Sequence, residues 1–173
     1  MLKGGLGMRN SYEVRAQKFI RQIYNYICEC DDIVEYEWAI NKFNYDHHRN
    51  VKIANGLTRV VLITSDYVIK MNCGDARNLY RWGTCETEIG LYQEAVKDGF
   101  EYLFAKPTEI EYQGLTFCIM PRITGIGRTP YDADEYLTEE EKDWVWDRVS
   151  DLHNGNYGWR KGRPVIIDYA AVL

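Results

Sequence analysis

The sequence predicts an α+β fold: helices first, then a five-stranded antiparallel sheet with one inserted helix, then a short region of one helix and a hairpin. Three observations carry that expectation. Apolar residues recur at helical spacing as far as residue 43. From Val51 they recur in short β-rich runs divided by turn dipeptides. One stretch of helical spacing, 84–97, interrupts those runs after the third.

The elements follow in order. Ser11 can cap a helix whose Tyr12, Ala16, Phe19, Ile20, Ile23 and Ile27 share a stripe. A second helix is expected over 32–43, followed by a polar loop over 44–50. VKIA, RVVLIT and DYVIKMN read as three strands joined at Asn55-Gly56 and Ser65-Asp66. The inserted helix carries Ile89, Tyr92 and Val96 on one stripe and closes at Asp98-Gly99. Two further strands, 108–112 and 115–121, meet at Gln113-Gly114. The stretch 122–136 holds Gly125, Gly127 and Pro130 and reads as a linker. Thr138 with Glu141 forms a capping box for a helix bearing Trp144, Val145, Val149 and Leu152 that runs into DLHNGN, and Lys161-Gly162 turns a final hairpin. The chain therefore divides into 1–50, an N-terminal helical extension; 51–123, a sheet lobe; and 124–173, a minimal second lobe.

Composition narrows the function. The 173 residues are 46% hydrophobic and 14% aromatic, enough for a real core. A net charge of −5 from interspersed acids and bases implies no phosphate-backbone grip, so nucleic acid is not an expected partner. Cysteines at 28, 30, 73, 85 and 118 include no C-x-x-C pair, which suits reduced thiols in a cytoplasm and argues against zinc. No apolar run is long enough to span a bilayer, so no membrane association is expected.

The chemistry collects at the last hairpin. Pairing it about Lys161-Gly162 sets Asn156 opposite Ile167, beside Asp168, and the two oxygen-bearing side chains suit a hard cation such as magnesium. Asp151, at the exit of a helix, can approach the same spot and orient or deprotonate a hydroxyl nucleophile.

Asp151-Leu152-His153-Asn154-Gly155-Asn156, followed after a hairpin by Asp168-Tyr169-Ala170, resembles the catalytic and metal-binding loops of the protein-kinase-like superfamily. It is most similar to the D-L-H-x-G-N form of aminoglycoside and choline kinases. The resemblance implies Asp151 as catalytic base, Asn156 and Asp168 as magnesium ligands, and ATP as cofactor. Lys70 in Val68-Ile69-Lys70-Met71 resembles the lysine of V-A-I-K, which clamps the α and β phosphates and pairs with a glutamate. Glu88 is the first choice for that partner and Glu86 the second. By the same resemblance Met120 stands at the gatekeeper position, the backbone of Pro121 and Ile123 meets the adenine edge, and Gly56 lies in the phosphate-covering loop. His153 is expected to hold its loop in shape.

Departures from the family pattern qualify the function. Val149 and Ser150 replace the His-Arg that precedes the catalytic aspartate in protein kinases, and the activation segment and A-P-E motif do not follow Asp168. The expectation is an ATP-dependent phosphotransferase acting on a hydroxyl of a protein or small molecule, similar to compact kinase-like proteins of tailed phages and so at work in an infected bacterial cytoplasm. The competing expectation is a pseudokinase-like module that docks a partner protein without turnover. Other candidates read as structure: His47-His48 as a polar loop pair, Cys28 and Cys30 as packing residues, Trp144 as core with Trp146 partly exposed, and Glu139-Glu140-Glu141 as a helix start favoured by the dipole.

Overall fold

The period-two runs do form one antiparallel sheet. In the computed structural model, which describes residues 11–30, 32–55, 59–72, 84–125 and 133–170, the strands are β1 (Lys52–Asn55), β2 (Arg59–Ile63), β3 (Tyr67–Asn72), β4 (Thr108–Tyr112) and β5 (Leu115–Pro121). Their spatial order is β1-β2-β3-β5-β4, and every neighbouring pair is antiparallel. β5 takes the inner place beside β3 because its consecutive Phe117, Cys118, Ile119 and Met120 are all buried and need cover on both faces. The turns at Gln113-Gly114 and Lys161-Gly162 have positive φ at both residues, the geometry that two-residue hairpins require.

Helices α1 (Ser11–Ile27) and α2 (Ile33–His47) cover one face of the sheet. Phe19, Ile23, Tyr36 and Phe43 join Leu62, Ile69, Met71 and Phe117 in a single apolar cluster. Helix α3 (Cys85–Asp98) lies against β5 and β3 on the other face, and α4 (Glu139–Trp146) with the hairpin β6 (Tyr157–Arg160) and β7 (Arg163–Ile166) completes a second cluster there. The hairpin is tied to the segment after α3: Ala105 N–H donates to Ile166 O at 2.8 Å, beside a parallel bridge between Phe104 and Ile166.

Several expectations need correction. Ser11, expected as a cap, is already helical. α2 runs four residues past Phe43 and absorbs His47, whose ring lies 4.6 Å from that of Phe43; the left-handed His48 ends the helix by donating its N–H to Asn44 O. Val96 faces solvent, because α3 buries Cys85, Glu88, Leu91 and Ala95 instead. The buried stripe is centred on a carboxylate, and its partners explain why. α4 stops at Trp146 and a turn carries the chain to Val149, so the helix does not run into DLHNGN. The capping box at Thr138 and Glu141 is present in both directions, and Trp144 is buried while Trp146 is half exposed. Among the described residues no helix is long and apolar enough to cross a membrane.

Candidate functional site

Alternation along the strands decides which side chains meet on the α3 side of the sheet. Lys70 stands opposite Val61 on β2 and Cys118 on β5, and Val61 in turn stands opposite Ala54 on β1. Arg59, two residues before Val61, shares that face. Between this face of the sheet and the hairpin opens a cleft of about 580 Å³, walled by Val61, Val68, Met120, Ile123, Trp159 and Ile167, with Lys70 and Asp168 among its lining. This is the mix expected of a small-molecule site: apolar walls with a few convergent charges.

Four segments bring the charges together. Glu88, on α3, is fully buried and accepts from Lys70 Nζ at 2.6 Å, from Arg59 Nη1 at 2.9 Å and from Tyr169 N–H at 3.3 Å, with the Cys118 thiol at 3.7 Å. Lys70, only 4% exposed, also donates to Ile167 O at 2.6 Å and stands 3.7 Å from Asp168 Oδ1. Arg59 forms an ion pair with Asp168 through Nη2. A carboxylate with so many donors can be buried in its charged form, which an isolated one cannot.

Local structure fixes each participant. Asn72 ties the start of α3 to the end of β3, accepting from Cys85 N–H at 2.9 Å and donating to Glu86 at 3.0 Å, so the helix presents Glu88 to Lys70 and leaves Glu86 exposed. Asn156 ends a 3-10 turn over Asn154–Asn156 whose cap is His153, with Nδ1 accepting from Gly155 N–H at 3.0 Å. A Cβ at Gly155 would stand 2.7 Å from the His153 ring, so a larger residue there would displace the cap. The hairpin register sets Asn156 opposite Ile167, with Ile167 N–H donating to Asn156 O at 2.7 Å, and Asn156 Nδ2 donates to Asp168 O at 3.1 Å. Tyr169 locks the segment after Asp168 through its hydroxyl on Ala105 O at 2.8 Å.

Electrostatics follow from these contacts. Burial alone would raise the Asp168 carboxyl, but the charges of Lys70 and Arg59 outweigh it and hold the pKa below the usual value. Burial pushes the Cys85 thiol up to about 12 and Cys118 well above its usual value, so both stay neutral.

Asn156 carries the observation that bears on a metal. It is 7% exposed, and its Oδ1 is buried without a hydrogen-bond partner among the described residues. An orphaned amide oxygen on a side chain bonded to the Asp168 backbone suits a magnesium ion, which takes one or two protein oxygens and leaves other positions to water and phosphate. No group of three His, Cys, Asp or Glu side chains among the described residues could hold a metal by itself.

No family model, curated protein or solved structure matches this chain. The site therefore stands on its own geometry. Of the residues singled out in the sequence, the structure converges Lys70, Glu88, Asn156 and Asp168, and it sets Met120, Pro121 and Ile123 along the cleft. Gly56 lies outside the described residues. Asp151 is exposed and is not part of the cleft wall.

Two participants were missed. Arg59 had a legible signal: it is the lone charge opening an apolar strand and is in phase with Val61, the residue opposite Lys70. Trp159 had none, because its role depends on the segment after β5 folding onto β6, where Trp159 N–H donates to Thr124 O at 2.8 Å. That approach requires Gly158, since a Cβ there would fall 2.5 Å from Ile123 Cγ2.

Proposed function

We propose that the cleft binds ATP with magnesium and that the chain is a protein-kinase-like phosphotransferase, passing the γ-phosphate to a hydroxyl of a protein or small molecule. The observation that carries this reading is the meeting of Lys70, Glu88, Asn156 and Asp168, from four separate segments, with Lys70 and Asp168 lining one apolar cleft and Glu88 and Asn156 buried behind them. Lys70, held in place by Glu88, offers its ammonium to phosphate oxygens. Asp168 and Asn156 would hold magnesium, which supplies charge to neutralise the transferring phosphoryl group. The base lies between apolar walls, and Ile123 N–H, which makes no hydrogen bond among the described residues, is available to its edge. Asp151, exposed at the start of the same loop, would orient the acceptor hydroxyl. By the resemblance of its loops, the chain works in a cytoplasm, that of a phage-infected bacterium.

A second reading has a specific observation behind it. Arg59 is paired with Asp168, and Asp151 is outside the cleft wall, as suits a pseudokinase-like module that docks a partner protein and uses nucleotide as a structural ligand.

Thermal melting tests the shared part of both readings. ATP with magnesium should raise the transition of the wild type, by about 2.7 kcal/mol of stabilisation at a hundredfold excess over Kd, and Asp168→Asn should lose the rise. No shift at millimolar ATP would sink the nucleotide reading. Turnover then separates the two: a phosphotransferase loses ATP consumption with Asp151→Ala, whereas a docking module shows none to lose.

A further inference from the structure

Asp168, the carboxylate read as a metal ligand, is already paired with two protein cations. Arg59, at the start of β2 and only 7% exposed, places one terminal nitrogen on Glu88 Oε2 at 2.9 Å and the other on Asp168 Oδ1. Lys70 lies on the same two carboxylates, at 2.6 Å from Glu88 and 3.7 Å from Asp168. Two cations thus face two anions, and the neighbouring thiols of Cys85 and Cys118 add no charge. The cluster is neutral as it stands.

That neutrality has a consequence for metal. A divalent ion approaching alone meets a carboxylate whose charge is already compensated, with a guanidinium and an ammonium close by to repel it. Asn156 contributes a buried, unpartnered oxygen but no charge. Asp168 Oδ2, on a side chain 46% exposed, takes no bond among the described residues, so one oxygen remains open toward solvent. An ion arriving on a polyphosphate brings the negative charge that Arg59 and Lys70 would otherwise oppose.

We propose that Arg59 is a resident counter-ion that closes the Asp168–Asn156 cation site to free divalent metal and admits only metal carried by an anionic ligand. The assignment rests on Asp168 and Asn156 as cation ligands, and it is independent of nucleotide identity and of turnover. Arg59 is a positioning residue on this view: it acts on the metal through the carboxylate it shares. Binding of metal and of polyphosphate is then linked, each strengthening the other.

Manganese binding without nucleotide tests it, read by the electron paramagnetic resonance signal of free Mn²⁺. Arg59→Gln removes the charge while keeping an amide that can donate to Glu88. The wild type should leave Mn²⁺ free at concentrations where Arg59→Gln takes up one equivalent, an affinity difference of about tenfold or more. Adding Asn156→Ala to Arg59→Gln should abolish the uptake. Wild type that binds Mn²⁺ as tightly as Arg59→Gln overturns the proposal, and so does an Arg59→Gln protein, folded by circular dichroism, that gains no Mn²⁺. Should that variant not fold, the wild type decides: Mn²⁺ should raise its melting temperature only with inorganic tripolyphosphate present, and a rise with Mn²⁺ alone overturns the assignment. Mn²⁺ uptake by Arg59→Gln together with no response to ATP would sink the nucleotide reading and leave the role of Arg59 standing.

Discussion

The two faces of the sheet are built from the same strands, one residue out of phase, and they differ in almost every physical respect. Toward α1 and α2 the strands present Val60, Leu62, Ile69, Met71, Phe117 and Ile119, all buried and apolar. Toward α3 and the hairpin they present Arg59, Val61, Lys70, Cys118 and Met120, two of them charged. The first face needs only matched volume, and burial of that area is a direct source of stability. The second holds an ion-pair cluster whose Coulomb gain is largely offset by desolvation, so its presence is poorly explained by stability. Function is therefore to be sought on the face where the alternation places groups that are costly to bury.

Removal of the helical cover should have the gravest consequence. A chain lacking residues 1–48 exposes the apolar face and is expected to aggregate or to lose its cooperative thermal transition; a soluble fragment that melts sharply would show that the face does not depend on α1 and α2. Next in size are matched substitutions on opposite faces. Glu88→Ala leaves Arg59 and Lys70 short of a partner and should cost about 3–5 kcal/mol in urea unfolding. Ile69→Ala, a cavity on the other face, should cost about 2–5 kcal/mol. Similar losses of stability should separate in function, since only Glu88→Ala should abolish the melting shift with ATP and magnesium in protein that remains folded.

Much of this was legible from residue order because both faces obey local rules. Period two located all five strands, and Lys161-Gly162 fixed the register that sets Asn156 beside Asp168. The placement of β5 between β3 and β4 was not legible, since pairing order is a tertiary choice. Helical spacing assigned Val96 to the buried stripe of α3, whereas the structure buries Glu88: an apolar count cannot anticipate that two cations on the sheet will draw a carboxylate inward. Arg59 was passed over for a related reason. A charged residue at the end of a strand usually reaches solvent, so its phase with Val61 was outweighed; Glu88 and Asp168 together turn it inward.

A subtler and more diagnostic difference concerns pH. Asp168 is held below its usual pKa despite burial, by Lys70 and Arg59. A carboxyl with a depressed folded-state pKa contributes stability that is present above its unfolded value, about 3.9, and is lost as pH falls through the lower folded value. Asp168→Asn should therefore lower stability at neutral pH and converge with the wild type below about pH 4. Glu141 supplies an internal control whose partners, Thr138, Tyr102 and Arg163, lie outside the charge cluster. Its pKa is also lowered against desolvation, by the Thr138 N–H, the Tyr102 hydroxyl and Arg163, so Glu141→Gln should show the same convergence. Ligand distinguishes the two carboxyls. Tripolyphosphate with Mn²⁺ should alter the acid limb of Glu141→Gln, which retains Asp168, and leave that of Asp168→Asn unchanged. Ile69→Val, on the apolar face, should shift the wild-type curve by a constant amount at every pH. A pH-dependent gap for Ile69→Val would mean that the two faces are coupled through β3 and that the division between a stabilising face and a functional one is too sharp.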